Sequence, residues 1–306
     1  MTAAGRQRGR VVAAHGRHYV VVTEAGERLV CFTRGKRSDA ACGDEVAVES
    51  TAVGQGILES IEPRRNLLAR SNGFRTKLLA ANIDRIAIVV ATSPPFSEEL
   101  LGRTLVAAAS IDVPAHILLN KVDLADQVDA ARATLASYVR LGYRVDELSV
   151  RRDGATVAAH LGAVFRGETT LLVGQSGMGK SSLLNLLVPH AQAATREISE
   201  ALQTGKHTTT DARLYWLSPD GDRRAGAIVD TPGFQEFGLA QLTPGEVERG
   251  FPELAPFLGH CRFANCAHLQ EPGCAVTAAR DRGDVDARRY DLFAKLTRES
   301  STFRDR

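Results

Sequence analysis

Gly174-Gln175-Ser176-Gly177-Met178-Gly179-Lys180-Ser181 has the spacing G-x-x-x-x-G-K-S. It lies between an apolar run at residues 169–173 and a helical pattern at residues 180–188, and this strand-to-helix context is the one the motif requires. The glycines let backbone N–H groups close around phosphate oxygens, and the helix N-terminus adds a favourable dipole. The candidate phosphate-binding residues are therefore Gly174, Gln175, Ser176, Gly177, Met178, Gly179, Lys180, Ser181 and Ser182. Lys180 is expected to reach the β- and γ-phosphates, and Ser181 to ligate Mg2+.

A second motif, Asn120-Lys121-Val122-Asp123, sits where an expected strand at residues 115–119 ends. Asp123 is placed to accept two hydrogen bonds, from N1 and the exocyclic N2 of guanine. Adenine offers neither donor, and an unpaired buried carboxylate is costly, so the pattern points to GTP over ATP. In GTPases of ordinary chain order the phosphate loop comes first. Here the base-reading motif precedes it and both are complete, which implies a circularly permuted domain with the same site and different chain entry and exit.

Asp230-Thr231-Pro232-Gly233 follows an expected strand at residues 225–229. An Asp at that place would hold the metal through water, and Gly233 would give a backbone N–H to the γ-phosphate. Thr208-Thr209-Thr210 offers a hydroxyl for Mg2+. The sequence does not separate the three; Thr209 is taken as the ligand beside Ser181, with Thr208 next to it. Phe234 stands where many GTPases carry a glutamine that orients the attacking water, so unaided hydrolysis should be slow. His207 is the best-placed group to position that water, the alternative being a contact with a partner or solvent. Ser149-Val150 is a candidate for the loop behind the guanine ring.

Outward from these motifs, strands and helices alternate: strands at residues 85–91, 115–119, 169–173, 213–217 and 225–229, helices at 98–111, 125–141 and 180–188. Such alternation implies a mostly parallel sheet covered by helices. Before it, β-rich stretches at residues 11–14, 19–23, 29–32, 45–48 and 57–61 are separated by Gly-containing turns. Five short strands suit an OB-fold, although other small barrels fit the pattern. Residues 64–70 read as the connection. The expected fold is multidomain: an N-terminal all-β OB-fold barrel (1–68), a central α/β P-loop GTPase domain (69–240), and a C-terminal, mainly helical zinc-binding domain (241–306).

Cys261, Cys266, His268 and Cys274 carry the spacing C-x4-C-x-H-x5-C. Three thiolates and one imidazole make a closed tetrahedral zinc site, structural because no position is left open. His260 is a competing ligand. Cys31 and Cys42 fall in the barrel as small buried residues.

At 306 residues, 44% hydrophobic and 24% charged, the composition is that of an ordinary soluble protein. No apolar run approaches the roughly 18 residues a membrane helix needs, and the basic N-terminus has no apolar segment behind it. A cytoplasmic protein is expected, and a monomer. Residues 1–40 hold eight Lys or Arg against three acids, a footprint that suits RNA or simply a solvated charged face.

Taken together, these stretches resemble the circularly permuted, small-ribosomal-subunit-dependent GTPases of the RsgA (YjeQ) family over almost the whole chain. The resemblance is carried by the three nucleotide motifs with Phe234, and by Thr33-Arg34-Gly35-Lys36, Gly43-Asp44-Glu45-Val46, Gly205-Lys206-His207-Thr208-Thr209-Thr210 and Glu271-Pro272-Gly273-Cys274-Ala275-Val276. Met178 and Lys206 depart from the usual valine and arginine. The resemblance implies an OB-fold, a permuted GTPase centre and one structural zinc. It implies GTP hydrolysis with Mg2+ and His207, stimulated by the 30S subunit, with 16S rRNA as contact, in late 30S maturation and release of assembly factors. The alternative is a GTP-dependent RNA-binding assembly adapter with negligible hydrolysis.

Overall fold

A computed structural model describes residues 6–34, 39–71, 76–191, 212–231 and 237–302. Strands β1 (Arg6–His15), β2 (His18–Thr23), β3 (Arg28–Thr33), β4 (Glu45–Ala52) and β5 (Gln55–Ile61) follow one another in the order β1-β2-β3-β5-β4, and β4 pairs back on β1. The barrel is thus closed, which leaves no free strand edge. Alternate residues point inward and build its core from Val11, Tyr19, Val21, Leu29, Cys31, Val46, Val48 and Leu58. Cys31 and Cys42 are buried, as the sequence suggested.

The register of β1 against β2 is irregular between Val11 and Ala13. At such a bulge the strand bends and re-aims its side chains. Val11 stays in the barrel core, whereas Val12 and Ala13 enter the core of the next layer. There Ala13 pairs with Arg213, so the barrel and the nucleotide sheet form one continuous 11-stranded sheet.

The second part of that sheet contains β8 (Arg85–Ala91), β9 (Ala115–Asn120), β10 (Arg144–Glu147), β11 (Thr169–Gly174), β12 (Arg213–Trp216) and β13 (Ala227–Asp230). Their spatial order is β10-β9-β8-β11-β13-β12, parallel except for β12 against β13. The central strands read as unbroken apolar runs because helices cover both faces. One face packs α3 (Gly154–Val164) and α4 (Lys180–Leu187) through Leu161, Phe165, Leu183 and Leu184. The other packs α1 (Glu98–Ser110), α2 (Ala125–Arg140) and the C-terminal region. His116, near the foot of β9, is buried with its Nε2 3.1 Å from Asp146 Oδ2. Burial outweighs the attraction of Asp146 and holds its pKa down to about 4.

Residues 64–70 are not a bare connection. Leu67–Ser71 (β6) and Thr76–Ala81 (β7) form an antiparallel hairpin. Strand β10 and helix α3 also lie outside the expected set.

Beyond the sheet, the helix Pro244–Arg249, a 3-10 turn Pro252–Phe257 and the helices Ala275–Arg282 and Ala287–Thr302 share the core under α1. Gly250 marks one close approach of backbones: a Cβ there would lie 2.6 to 2.9 Å from atoms of Val106. The chain entering this region is itself pinned to β6, with Ser71 N donating to Gly238 O (3.1 Å) and Ala240 N to Ser71 O (3.3 Å). Among the described residues no helix is long and apolar enough to cross a membrane.

Candidate nucleotide and metal sites

The chain ends β11 at Gly174, turns through the phosphate loop, and starts α4 at Lys180. Gly179 caps α4 with φ 91°, a left-handed conformation that favours glycine. Space demands it as well, because a Cβ at Gly179 would collide with Asn120 Nδ2. The base-reading motif therefore touches the phosphate loop directly. Asn120, at the end of β9, donates to Met178 O (3.0 Å) and accepts from Val150 N (3.3 Å). Lys121 Nζ donates to Gly177 O and to Ser93 O, each at 2.6 Å. Val122 is half-buried and packs against the main core.

Asp123 is held from the other side. Ser149 Oγ, itself buried, donates to Asp123 Oδ1 at 2.6 Å and accepts from Arg152 N at 3.1 Å. That hydrogen bond lowers the Asp123 pKa below the usual carboxylate value and keeps it an acceptor. The 149–150 stretch thus fixes both Asn120 and Asp123.

Lys180 is buried and its Nζ bonds Asp230 Oδ1, at the end of β13 next to β11. Burial pushes the Asp230 carboxyl up, against the pull of Lys180 and Arg213. Thr231 Oγ1 donates to Leu172 O (3.0 Å), which locks this strand end to its neighbour. Ser181 and Ser182 are exposed on the first turn of α4, Ser176 is exposed, Gln175 is half-buried, and Met178 is buried under the loop. The structure thus brings together Asn120 to Asp123, the phosphate loop, Lys180 and Asp230. His207, Thr208, Thr209, Thr210, Gly233 and Phe234 lie outside the described residues.

The second cluster is local. The ligand atoms of Cys261, Cys266, His268 and Cys274 all lie within 4.8 Å of one another, so the group can hold a metal ion. Cys261 Sγ is 3.8 Å from Cys274 Sγ; His268 Nδ1 is 3.3 Å and 3.5 Å from these two sulfurs. Metal–sulfur bonds of about 2.3 Å and a metal–nitrogen bond of about 2.0–2.1 Å give tetrahedral edges close to these spacings. His260 is exposed and outside the group. Two carboxylates support the group from outside the ligand set. Glu248 Oε2 sits 3.3 Å from His268 Nε2, where a carboxylate fixes the tautomer and aim of a ligating imidazole. The Glu271 carboxylate accepts from the amides of Ala267, Leu269 and Gln270. Burial alone would raise its pKa, but those amides bring it down to about 2.

Known proteins share this architecture. Residues 61–240 match the family model described as RsgA GTPase. A protein named small ribosomal subunit biogenesis GTPase RsgA from Ralstonia nicotianae is 55% identical over 294 residues, 96% of this chain and 92% of that protein. Its namesake in Burkholderia pseudomallei strain K96243 is 53% identical over 297 residues, 97% and 93% of the two chains. Among solved structures, YjeQ from Thermotoga maritima superposes with a TM-score of 0.70 at 29% identity, covering 97% of this chain and 99% of that one. YloQ, described as a circularly permuted GTPase, gives 0.68 at 28%, covering 99% and 98%. Similarity of this extent, over sequence and structure alike, makes the chain a member of the RsgA GTPase family.

Proposed function

We propose that this GTPase binds the 30S ribosomal subunit, is stimulated by it, and acts in late subunit maturation and release of assembly factors. One observation carries the nucleotide chemistry: Asn120 bridges the base-reading motif to Met178 O of the phosphate loop, although the chain delivers the two in reversed order. Guanine is read by Asp123, whose carboxylate Ser149 already aims. Bound phosphates would compete with Asp230 for Lys180 Nζ, which would leave that carboxylate able to face a metal. Ser181 and Thr209 would hold Mg2+, with Asp230 acting through water; these hard oxygen donors suit that ion. When bound, Mg2+ neutralises charge developing on the transferred phosphoryl group. On this reading His207, with Thr208 next to it in sequence, would position the attacking water, and Gly233 N–H would bind the γ-phosphate.

The soft thiolate and imidazole set of Cys261, Cys266, His268 and Cys274 suits one structural zinc. The curated relatives' names support the small subunit as partner. For 16S rRNA, support comes from exposed aromatics, one of them beside an arginine. Phe32 lies edge-on to His18 on the barrel, and Arg262 stands over Phe263 beside the metal ligands. The protein works as a cytoplasmic monomer with modules at residues 1–68, 69–240 and 241–306.

The test is GTP turnover by the purified chain alone and with 30S, 50S or 70S particles. Stimulation by 30S that Lys180→Ala abolishes, and His207→Ala reduces, is the expected result. Tight GTP binding with no stimulation by any particle would favour the adapter with negligible hydrolysis.

A further inference from the structure

Helix α1 is capped at its N-terminus by two hydrogen bonds, and only one of them is local. Ser97 is the N-cap, and its Oγ accepts from Leu100 N at 3.1 Å. A complete capping box also needs an acceptor side chain at the third helical position, reaching back to the N-cap N–H. The helix Pro244–Arg249 has both halves in its own sequence, Thr243 and Glu246. In α1 that third position is Leu100, which has no acceptor. The missing half comes from the phosphate loop: Gln175 Oε1 accepts from Ser97 N at 2.7 Å, across 78 residues of sequence.

The first turn of α1 is also where the C-terminal helix is fastened. Glu98 pairs with Arg288 (3.2 Å), and Glu99 with Lys295 (2.7 Å). One turn on, Arg103 grips Glu299 with two hydrogen bonds (2.6 and 2.8 Å) and Glu99 with a third (2.9 Å). Glu98 and Glu99 follow Ser97 directly, so any displacement of the cap shifts two anchors of this latch. The carboxamide of Gln175 is engaged with the cap and not with the base-reading motif.

We propose that Gln175 is a positioning residue that completes the α1 cap from the phosphate loop and so makes nucleotide affinity and attachment of the C-terminal helix mutually dependent. The inference rests on the phosphate loop being the nucleotide site. Linkage requires the dependence to run both ways: nucleotide tightens the latch, and an intact latch raises nucleotide affinity, which is read here as slower release.

The experiment follows release of a fluorescent GDP analogue from the full-length chain and amide exchange over residues 288–299. GDP should slow exchange there in the wild type and leave it unchanged in Gln175→Ala. Release should quicken about fivefold in Gln175→Ala, the size expected for a lost cap hydrogen bond. A Glu299→Ala/Lys295→Ala variant should also release faster. Combining it with Gln175→Ala should add nothing, because both break one connection. Gln175→Glu keeps an acceptor for Ser97 N and should retain the exchange protection. Release rates that simply multiply, or GDP protection of residues 288–299 that survives in Gln175→Ala, would overturn the coupling alone. Wild-type protein that fails to bind the analogue overturns the nucleotide reading along with it. Absence of GDP protection over residues 288–299 in the wild type would also overturn the coupling, whether or not a variant folds.

Discussion

The nucleotide site and the metal cluster are built on opposite plans. The first draws Ser93, Asn120 to Asp123, Ser149, the phosphate loop and Asp230 from stretches far apart in sequence, each just beyond or at the end of a sheet strand. Strand register sets their spacing, and side-chain hydrogen bonds refine it. The second draws four ligands from one short stretch with no sheet strand beneath it. A site on a sheet therefore tolerates the loss of one group, whereas a local knot held by its ligands depends on the ion.

Metal removal tests that contrast most severely. Structural zinc binding is worth on the order of 10 kcal/mol, most of it folding free energy. Chelation, or Cys274→Ser, should unfold residues 258–274 and fray the helix Ala275–Arg282, whose N-cap is Cys274. Amide exchange would report it, and GDP binding should remain measurable; parallel loss of both would break the distinction. Next in size is Lys180→Ala, expected to lower 30S-stimulated turnover by roughly 10^3-fold with the fold intact, because a positioned charge on the phosphates is gone. Asp123→Asn replaces an acceptor with a donor, so GTP affinity should fall about 100-fold while xanthosine triphosphate gains. Competition binding with both nucleotides checks this.

A pH experiment sharpens the scaffold side. The His116 pKa lies near 4 in the folded chain, below its ordinary 6.5. The unfolded state therefore takes up the proton first, and stability falls as pH drops from about 6.5 towards 4. About 2 kcal/mol should be lost between pH 7 and pH 5 on this account. His116→Gln should flatten that part of the profile in urea denaturation; an unchanged slope would assign it to other groups. The smallest effect belongs to Ser149→Ala. Losing one hydrogen bond to Asp123 should weaken GDP binding by about 1 kcal/mol and leave the melting temperature nearly unchanged.

The nucleotide motifs stand out in sequence because a ligand would dictate each residue's chemistry (glycines for close approach, a lysine for phosphate, an aspartate for guanine), and the structure brings them together. The barrel and the alternating strands were legible from period and turn residues. The β6–β7 hairpin was misread as a connection because Arg65 and Arg70 flank a short apolar pair and mask its alternation. β10 escaped because three of its four residues, Arg-Val-Asp-Glu, are polar and the strand is half exposed at the sheet edge. No local rule reveals Glu248 behind His268 or Gln175 beneath Ser97, since each partnership is made by packing between separate elements.

The reversed order of the motifs has a consequence for synthesis. The barrel needs only residues up to Ile61 to close. By the time residue 150 is made, β8, β9 and β10 can pair, and Ser149 can meet Asp123. The middle strand β11 comes later, and β13 with Asp230 later still. Domains emerging from the ribosome fold from the N-terminal end. On the proposed reading, the half of the site that would read guanine is therefore laid down before the phosphate loop exists.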